Sequence, residues 1–282
     1  MTRTTPQPPV DLGAEIPGLA GFARPATRLH PRPGAPTEHE SHIGGPMLWP
    51  VNEPWPRCAR PKGGWSGHDA LAKPVAEIAV AQLFARDVPG LPFPAGTDLL
   101  QVFWCPNEHD DYDCGPLVDV VWRDSSKVTE VFGRPPVPEV SEDDELRPRP
   151  CVLDPEVIVE YPFAQELPTE LRQAVERVES ENGVSYPYEL AMAPGCKTGG
   201  WANWAVTDLI PMNCADCAGP MDLLLVIDVC EWDSGNQDRW QPVEDRREGN
   251  EEFAPTGVEV KDAVRVFLCR TSASHPLKQD IQ

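Results

Sequence analysis

The chain has 282 residues, enough for two half-domains around a sizeable core without covalent staples. Its 45 acidic residues outnumber 24 basic ones and leave a net charge of −21. That balance argues against a general nucleic-acid binder or a protein of anionic membrane surfaces, and favours solubility or a basic protein partner.

Residues 1–40 read as a Pro-rich N-terminal arm with one apolar patch at Ile16, Leu19 and Phe22. The patch is short, is broken by Pro17 and Gly18, and has no basic stretch before it, so it does not read as a leader. No run approaches the ~18 apolar residues of a membrane span. A cytoplasmic location is expected, with the nine cysteines present as thiols or metal ligands. Residues 41–133 form a first β-rich half, with strands expected at Ala79–Phe84, Leu99–Cys105 and Leu117–Trp122. Residues 134–150 read as an acidic, Pro-rich, solvated linker. Residues 151–282 form the second half. A strand is expected at Val157–Tyr161. A helix follows over Pro168–Gly183, where Leu171, Ala174, Val175 and Val178 recur at helical spacing, with Thr169 as N-cap and Gly183 as stop. Met221–Val229 reads as a buried strand, 234–256 as an acidic loop, and Val264–Cys269 as a final strand. With 34 prolines in the chain, short strands and ordered loops are expected. The fold class is mainly β or α+β: two pseudo-repeated β-rich halves with one clear amphipathic helix.

The halves carry a common pattern. His42-Ile43-Gly44-Gly45 is followed by Trp49, and Lys197-Thr198-Gly199-Gly200 by Trp204. A cysteine comes next, Cys58 or Cys214, then an apolar strand, then Gln101-Val102-Phe103-Trp104-Cys105 or Arg265-Val266-Phe267-Leu268-Cys269, then His109 or His275. Gly-Gly permits positive φ or close backbone approach, and the tryptophan supplies a large apolar plug. Two such units can pair into one pseudo-symmetric structure.

Ser41–Trp49, Pro54-Trp55-Pro56, Val80-Ala81-Gln82-Leu83 and Leu99-Leu100-Gln101-Val102-Phe103 resemble the YwqG-like family of bacterial domains of unknown function. The run Lys197–Trp204, with Cys214-x-x-Cys217 and the strand to Cys269, is similar to that family's second block and to the programmed cell death protein 2 family of eukaryotes. The resemblance spans roughly residues 40–275. It implies a bacterial protein without a transferable activity, and by analogy with the eukaryotic relatives a chaperone-like binding role. Val226-Ile227-Asp228 replaces the usual Leu-Gln-Val, and the chain has no cysteine-rich MYND-type insert.

Cys214-x-x-Cys217 sits in a turn, not at the strand-to-helix junction of a redox dithiol, and has the spacing of a zinc knuckle. Cys196, Cys230, Cys269 and His275 are its candidate partners. Cys58, Cys105, His109 and Cys114 would make a second, Cys3His set. Ordinary turn cysteines without metal remain the alternative at both places. Gly195-Cys196-Lys197-Thr198 lacks the spacing of a phosphate loop. Asp87, Asp228 and Glu231 are weak candidates for paired catalytic carboxylates. The tryptophans read as core, with Trp55 and Trp65 as surface exceptions. The leading expectation is a protein-interaction or chaperone-like module with structural zinc. The alternatives are a metal-dependent or thiol enzyme with its site between the halves, and an immunity-type partner of another gene product.

Overall fold

The computed structural model describes residues 2–59, 74–109, 115–139, 144–204, 208–248, 253–260 and 263–281. In chain order the strands are β1 (Arg24–Arg28), β2 (Arg32–Pro33), β3 (His42–Ile43), β4 (Arg57–Cys58), β5 (Val75–Ala76), β6 (Ile78–Phe84), β7 (Leu99–His109) and β8 (Gly115–Arg123). They continue as β9 (Cys151–Val152), β10 (Glu156–Glu160), β11 (Lys197–Gly199), β12 (Met221–Asp228), β13 (Ala263–Cys269) and β14 (Lys278–Ile281). The helices are α1 (Leu12–Glu15), α2 (Thr169–Asn182), α3 (Gln237–Trp240) and α4 (Val243–Glu248).

One sheet has the order β10-β1-β11-β12-β13-β14, the other β2-β9-β3-β6-β7-β8, and β4 and β5 form a small ribbon. The strands pair antiparallel throughout. The two orders correspond term by term: β2 to β10, β9 to β1, β3 to β11, β6 to β12, β7 to β13, β8 to β14. Even the irregularities match. Opposite Phe103 and Val102 stand Ala79 and Ala81, and opposite Phe267 and Val266 stand Leu223 and Leu225, so each half skips one residue at the same point. An extra residue there is a β-bulge, which sharpens local twist. The fold is therefore strand-rich, in line with the mainly β or α+β expectation.

The correspondence also shows where the halves interlock. β1 pairs with β10 and β11 in one sheet, and the chain then crosses so that β2 joins the other. β9 and β10 make the reciprocal crossing. Strand alternation sends Leu100, Val102 and Trp104 of β7 into the same buried cluster as Val264, Val266 and Leu268 of β13. The opposite face of each sheet carries a separate cluster: Trp49, Trp55 and Phe103 on one, Trp204, Met221 and Phe267 on the other.

Helix α2 buries Val175 and Val178 against Leu12, Ile16, Leu19 and Tyr186. Pro168, not Thr169, holds its N-cap position, and Gly183 closes it with φ +66. Four segments differ from the sequence expectation. The arm 1–40 is tied in: Arg3 Nε donates to Asp245 at 2.8 Å, Thr5 N to Glu156 at 2.9 Å, and residues 24–28 are an inner strand of a sheet. In the 134–150 linker, Leu146 is buried and its carbonyl accepts from Trp104 Nε1 at 2.8 Å. A solitary apolar residue among charges gave little hint of that anchor. The 234–256 segment contains α3 and α4, with Trp240 buried. Trp55 is buried too, its Nε1 donating to Glu77 O at 2.9 Å, while Trp65 lies outside the described residues.

Gly44 has φ +67, and a Cβ there would lie 2.4 Å from Arg149 O and 2.6 Å from Pro148 O. Gly183 has nearly the same φ but open space around it. Gly183→Ala is thus expected to cost only the left-handed backbone term, about 1–2 kcal/mol. Gly44→Ala should cost clearly more in urea unfolding, because the backbone across from it cannot yield; equal costs would show that the 148–149 segment does not press on the turn.

Candidate metal centres

The Gly-Gly turns are built alike although their residues differ. Lys197 Nζ donates to Trp201 O at 3.0 Å, closing a loop over the four residues that follow it. At the equivalent place His42 Nε2 donates to Pro46 O at 2.8 Å, while its Nδ1 accepts from Gly45 N at 3.1 Å. This bonding pattern requires the neutral imidazole with its proton on Nε2. Burial holds His42 in that form and depresses its pKa to about 4. Lys197 Nζ also donates to both Glu160 oxygens, at 2.7 and 2.8 Å, and that carboxylate accepts from Ala193 N at 2.8 Å and Trp201 N at 2.9 Å. Lys197 is therefore a buried structural cation.

The turns deliver Trp49 and Trp204 to the outer sheet faces. Trp49 meets Phe103 edge-on at 5.3 Å, and Trp204 stacks on Phe267 at 6.3 Å. Gln82 Oε1 accepts from Leu48 N at 2.7 Å, and Gln101 Nε2 donates to Leu48 O at 3.1 Å. In the other half Arg265, at the position of Gln101, donates to Asn203 O. Different side chains thus pin the same backbone approach to each tryptophan.

Behind the turns lie two groups of sulfur and nitrogen donors. Cys214, Cys217, Cys269 and His275 place one ligand atom each within 4.8 Å of the others. Cys217 Sγ lies 3.5 Å from Cys269 Sγ, Cys214 Sγ 3.5 Å from His275 Nδ1, and His275 Nδ1 3.3 Å from Cys269 Sγ. Ligand atoms of tetrahedral zinc, at about 2.3 Å for sulfur and about 2.0–2.1 Å for nitrogen, stand about 3.5–3.8 Å apart. The first two cysteines come from a tight turn: Cys214 N donates to Gly219 O at 2.8 Å, Ala218 N to Cys214 O at 2.9 Å, and Ala218 adopts φ +55. The other two donors come from the end of β13 and the loop after it.

The electrostatics favour the thiolate at Cys269 and Cys217, while the pKa of the Cys214 thiol is raised. Dehydration opposes ionisation of Cys269, but the Ser272 and Thr271 amides, His275 and Cys217 outweigh it and bring its pKa down to about 6. The Gly219 amide lowers Cys217, and the Cys269 sulfur raises His275. Thr271 N donates to Cys269 Sγ at 3.4 Å, an outer contact that orients the sulfur.

Cys58, Cys105 and His109 form the corresponding group, all three buried. Cys58 Sγ lies 3.7 Å from His109 Nε2. The adjacent Cys58 thiol and burial hold the Cys105 thiol far above its usual pKa. Cys114 lies outside the described residues. Cys196 and Cys230 join neither group; Cys196 is buried and directs its Sγ to Asp228 O at 3.8 Å. None of the described cysteines forms a disulfide.

Sequence reasoning missed a polar seam where the chain crosses between sheets. Arg28 is wholly buried; Nη1 donates to Thr5 Oγ1 at 2.7 Å and to Trp240 O at 3.1 Å. Glu231 Oε1 accepts from Cys196 N at 2.8 Å, and His30 Nε2 lies 3.1 Å from Glu156. Burial lowers Arg28 and raises Glu231, each opposed by the other's charge. Arg24 and Arg28 lie four residues apart on β1 and Arg32 opens β2, so the three basic side chains mark the crossing itself.

No family model matches the chain, and no curated protein matches it. Among the described residues no helix is long and apolar enough to cross a membrane.

The His42 clamp carries a pH signature. Its folded pKa lies below the ordinary 6.5, so the unfolded chain binds the proton first, and stability is lost as pH falls below 6.5 toward 4. The stability advantage of wild type over His42→Asn should shrink by about 2 kcal/mol between pH 7 and 5 in urea titrations. A constant difference would show that His42 is not held neutral.

Proposed function

We propose that the protein is a protein-interaction module, chaperone-like in type, whose two halves are each fixed by a structural zinc ion. The observation that carries this reading is the four-donor group Cys214, Cys217, Cys269 and His275: three sulfurs and one nitrogen close a tetrahedral shell and leave no position for substrate. The turn that supplies Cys214 and Cys217 also shapes a surface. Asn213 and Pro220, which bridge its ends, line a cavity of about 280 Å³ with Trp201, Trp204, Ile210 and Met212. Fixing the turn fixes that wall. A second cavity of about 220 Å³ lies between the halves, where Leu91 and Pro92 face Gly199, Gly200 and Leu224, with Arg24 and Asp222 at its margin. Apolar surface edged by charges suits a polypeptide partner. The net charge of −21 supports a basic one. Membership of the YwqG-like family belongs to this proposal and rests on the sequence resemblance alone.

The enzyme reading has one observation in its favour. In the seam, Arg28 Nε and Nη2, His30 Nδ1 and Glu231 Oε2 are buried without hydrogen-bond partners among the described residues. These groups are enclosed, and none lines either cavity.

The purified chain should contain two zinc ions. Removing them with a chelator should lower the melting temperature by about 10 °C or more, because structural metal binding is folding energy. The cobalt-substituted protein should show a tetrahedral thiolate spectrum that added anions leave unchanged. A spectrum that shifts with anions would indicate an open, catalytic position; absence of metal would contradict the proposal.

A further inference from the structure

The two centres do not have the same donors available, and the difference falls at two linked positions. In the second half the sequence runs Cys214-Ala215-Asp216-Cys217; in the first it runs Cys58-Ala59-Arg60-Pro61, with proline at the position of the second cysteine. The β4–β5 ribbon pairs Arg57 with Ala76 and Cys58 with Val75, just as Asn213 bridges Pro220. That register makes Glu77 the counterpart of Met221. Met221 packs in an apolar cluster beside Cys214. Glu77 sits instead beside a centre that has one thiol fewer among the described residues.

Glu77 is only 1% exposed, and neither carboxylate oxygen is at hydrogen-bond geometry with a donor among the described residues. Its backbone is fixed: Glu77 N donates to Pro56 O at 3.0 Å, and Glu77 O accepts from Trp55 Nε1. Strand alternation puts its side chain on the face of Val75, the partner of Cys58, and so diagonal to that cysteine. The carboxylate interacts electrostatically with both Cys58 and Cys105. Burial, with Asp119 and Cys58 adding to it, raises its pKa to about 9. A buried carboxylate among groups of like charge is costly, and either a proton shared with the Asp119 carboxyl or a bound cation relieves it.

Building on the zinc reading, we infer that Glu77 is the fourth ligand of the first centre, supplying oxygen where the second centre uses Cys217. The first centre is then Cys58, Cys105, His109 and Glu77, two sulfurs with one nitrogen and one oxygen; the second is three sulfurs and one nitrogen. The carboxylate is not among the donors that lie within 4.8 Å of one another, so the assignment requires the Glu77 side chain to turn toward the ion. Carboxylate oxygen at about 2.0–2.2 Å is an ordinary zinc ligand.

The test uses the full-length chain loaded with zinc, or with cadmium-113 for magnetic resonance. Wild type should give two well-separated cadmium resonances. Glu77→Gln should lose the one from the sulfur-poorer centre and release one zinc at least about 10-fold more readily to a competing chelator. Glu77→Cys should restore tight binding and move that resonance toward the other, which a purely structural role for Glu77 would not produce. Cys114→Ser should keep both ions. If Cys114→Ser loses an ion while Glu77→Gln keeps two, the Glu77 assignment is overturned and the zinc reading stands. A wild-type chain that binds no metal contradicts both.

Discussion

Strand β1 comes from the N-terminal arm, ahead of the first half, and belongs by hydrogen bonding to the sheet of the second. Its backbone pairs with β10 on one side and β11 on the other, while β9 fills the matching place between β2 and β3. Neither sheet is complete without strands from the other half. An isolated half would expose a gap of unpaired backbone groups inside its sheet, not only at its rim. The exchange makes the shared core one body and places both Gly-Gly turns at fixed positions on it. The arm, α3 and α4 close over the crossing, where Arg3 and Arg32 pair with Asp245.

On that frame the two halves solve the same local problem with different chemistry. Each must fold a tryptophan onto the outer face of its sheet through a turn with left-handed glycines. Clamping the carbonyl four residues on falls to a neutral imidazole in one half and an ammonium in the other. The ammonium requires an anion, and Glu160 of β10 provides it, so the second turn is tied to the crossing strand by charge. Replacing one half's residue with its counterpart would leave a buried charge without a partner or a carboxylate without a cation.

Much of the fold was legible because short, nearly continuous apolar runs mark strands buried on both faces. Ala79–Phe84, Leu99–Cys105 and Met221–Val229 fall within or nearly on β6, β7 and β12. Helix α2 was legible from the period of its own apolar residues. The short strands were not. β1 contains proline and two arginines, and β9 is two residues long; pairing across the molecule, not local propensity, makes them strands. The burial of Leu146, Trp55 and Trp240 depends on long-range packing that no local window contains. At the metal centres, spacing pointed to Cys214 and Cys217, and the repeat pointed to the cysteine and histidine that follow. Which of Cys196, Cys230, Cys269 and His275 would join them was decided only by where β13 ends. Glu77 carried one faint signal, a single acid within Val75-Ala76-Glu77-Ile78-Ala79.

The central claim is that the pseudo-symmetric halves each close around a metal ion held by side chains from a turn and from the end of a long strand. Anomalous scattering from a crystal of the metal-loaded protein, recorded on either side of the zinc absorption edge, tests it most directly. The account predicts two peaks, one among Cys58, Cys105 and His109 and one among Cys214, Cys217, Cys269 and His275. A map with no peak at either group, or with a disulfide joining Cys217 and Cys269 in place of an ion, would contradict it.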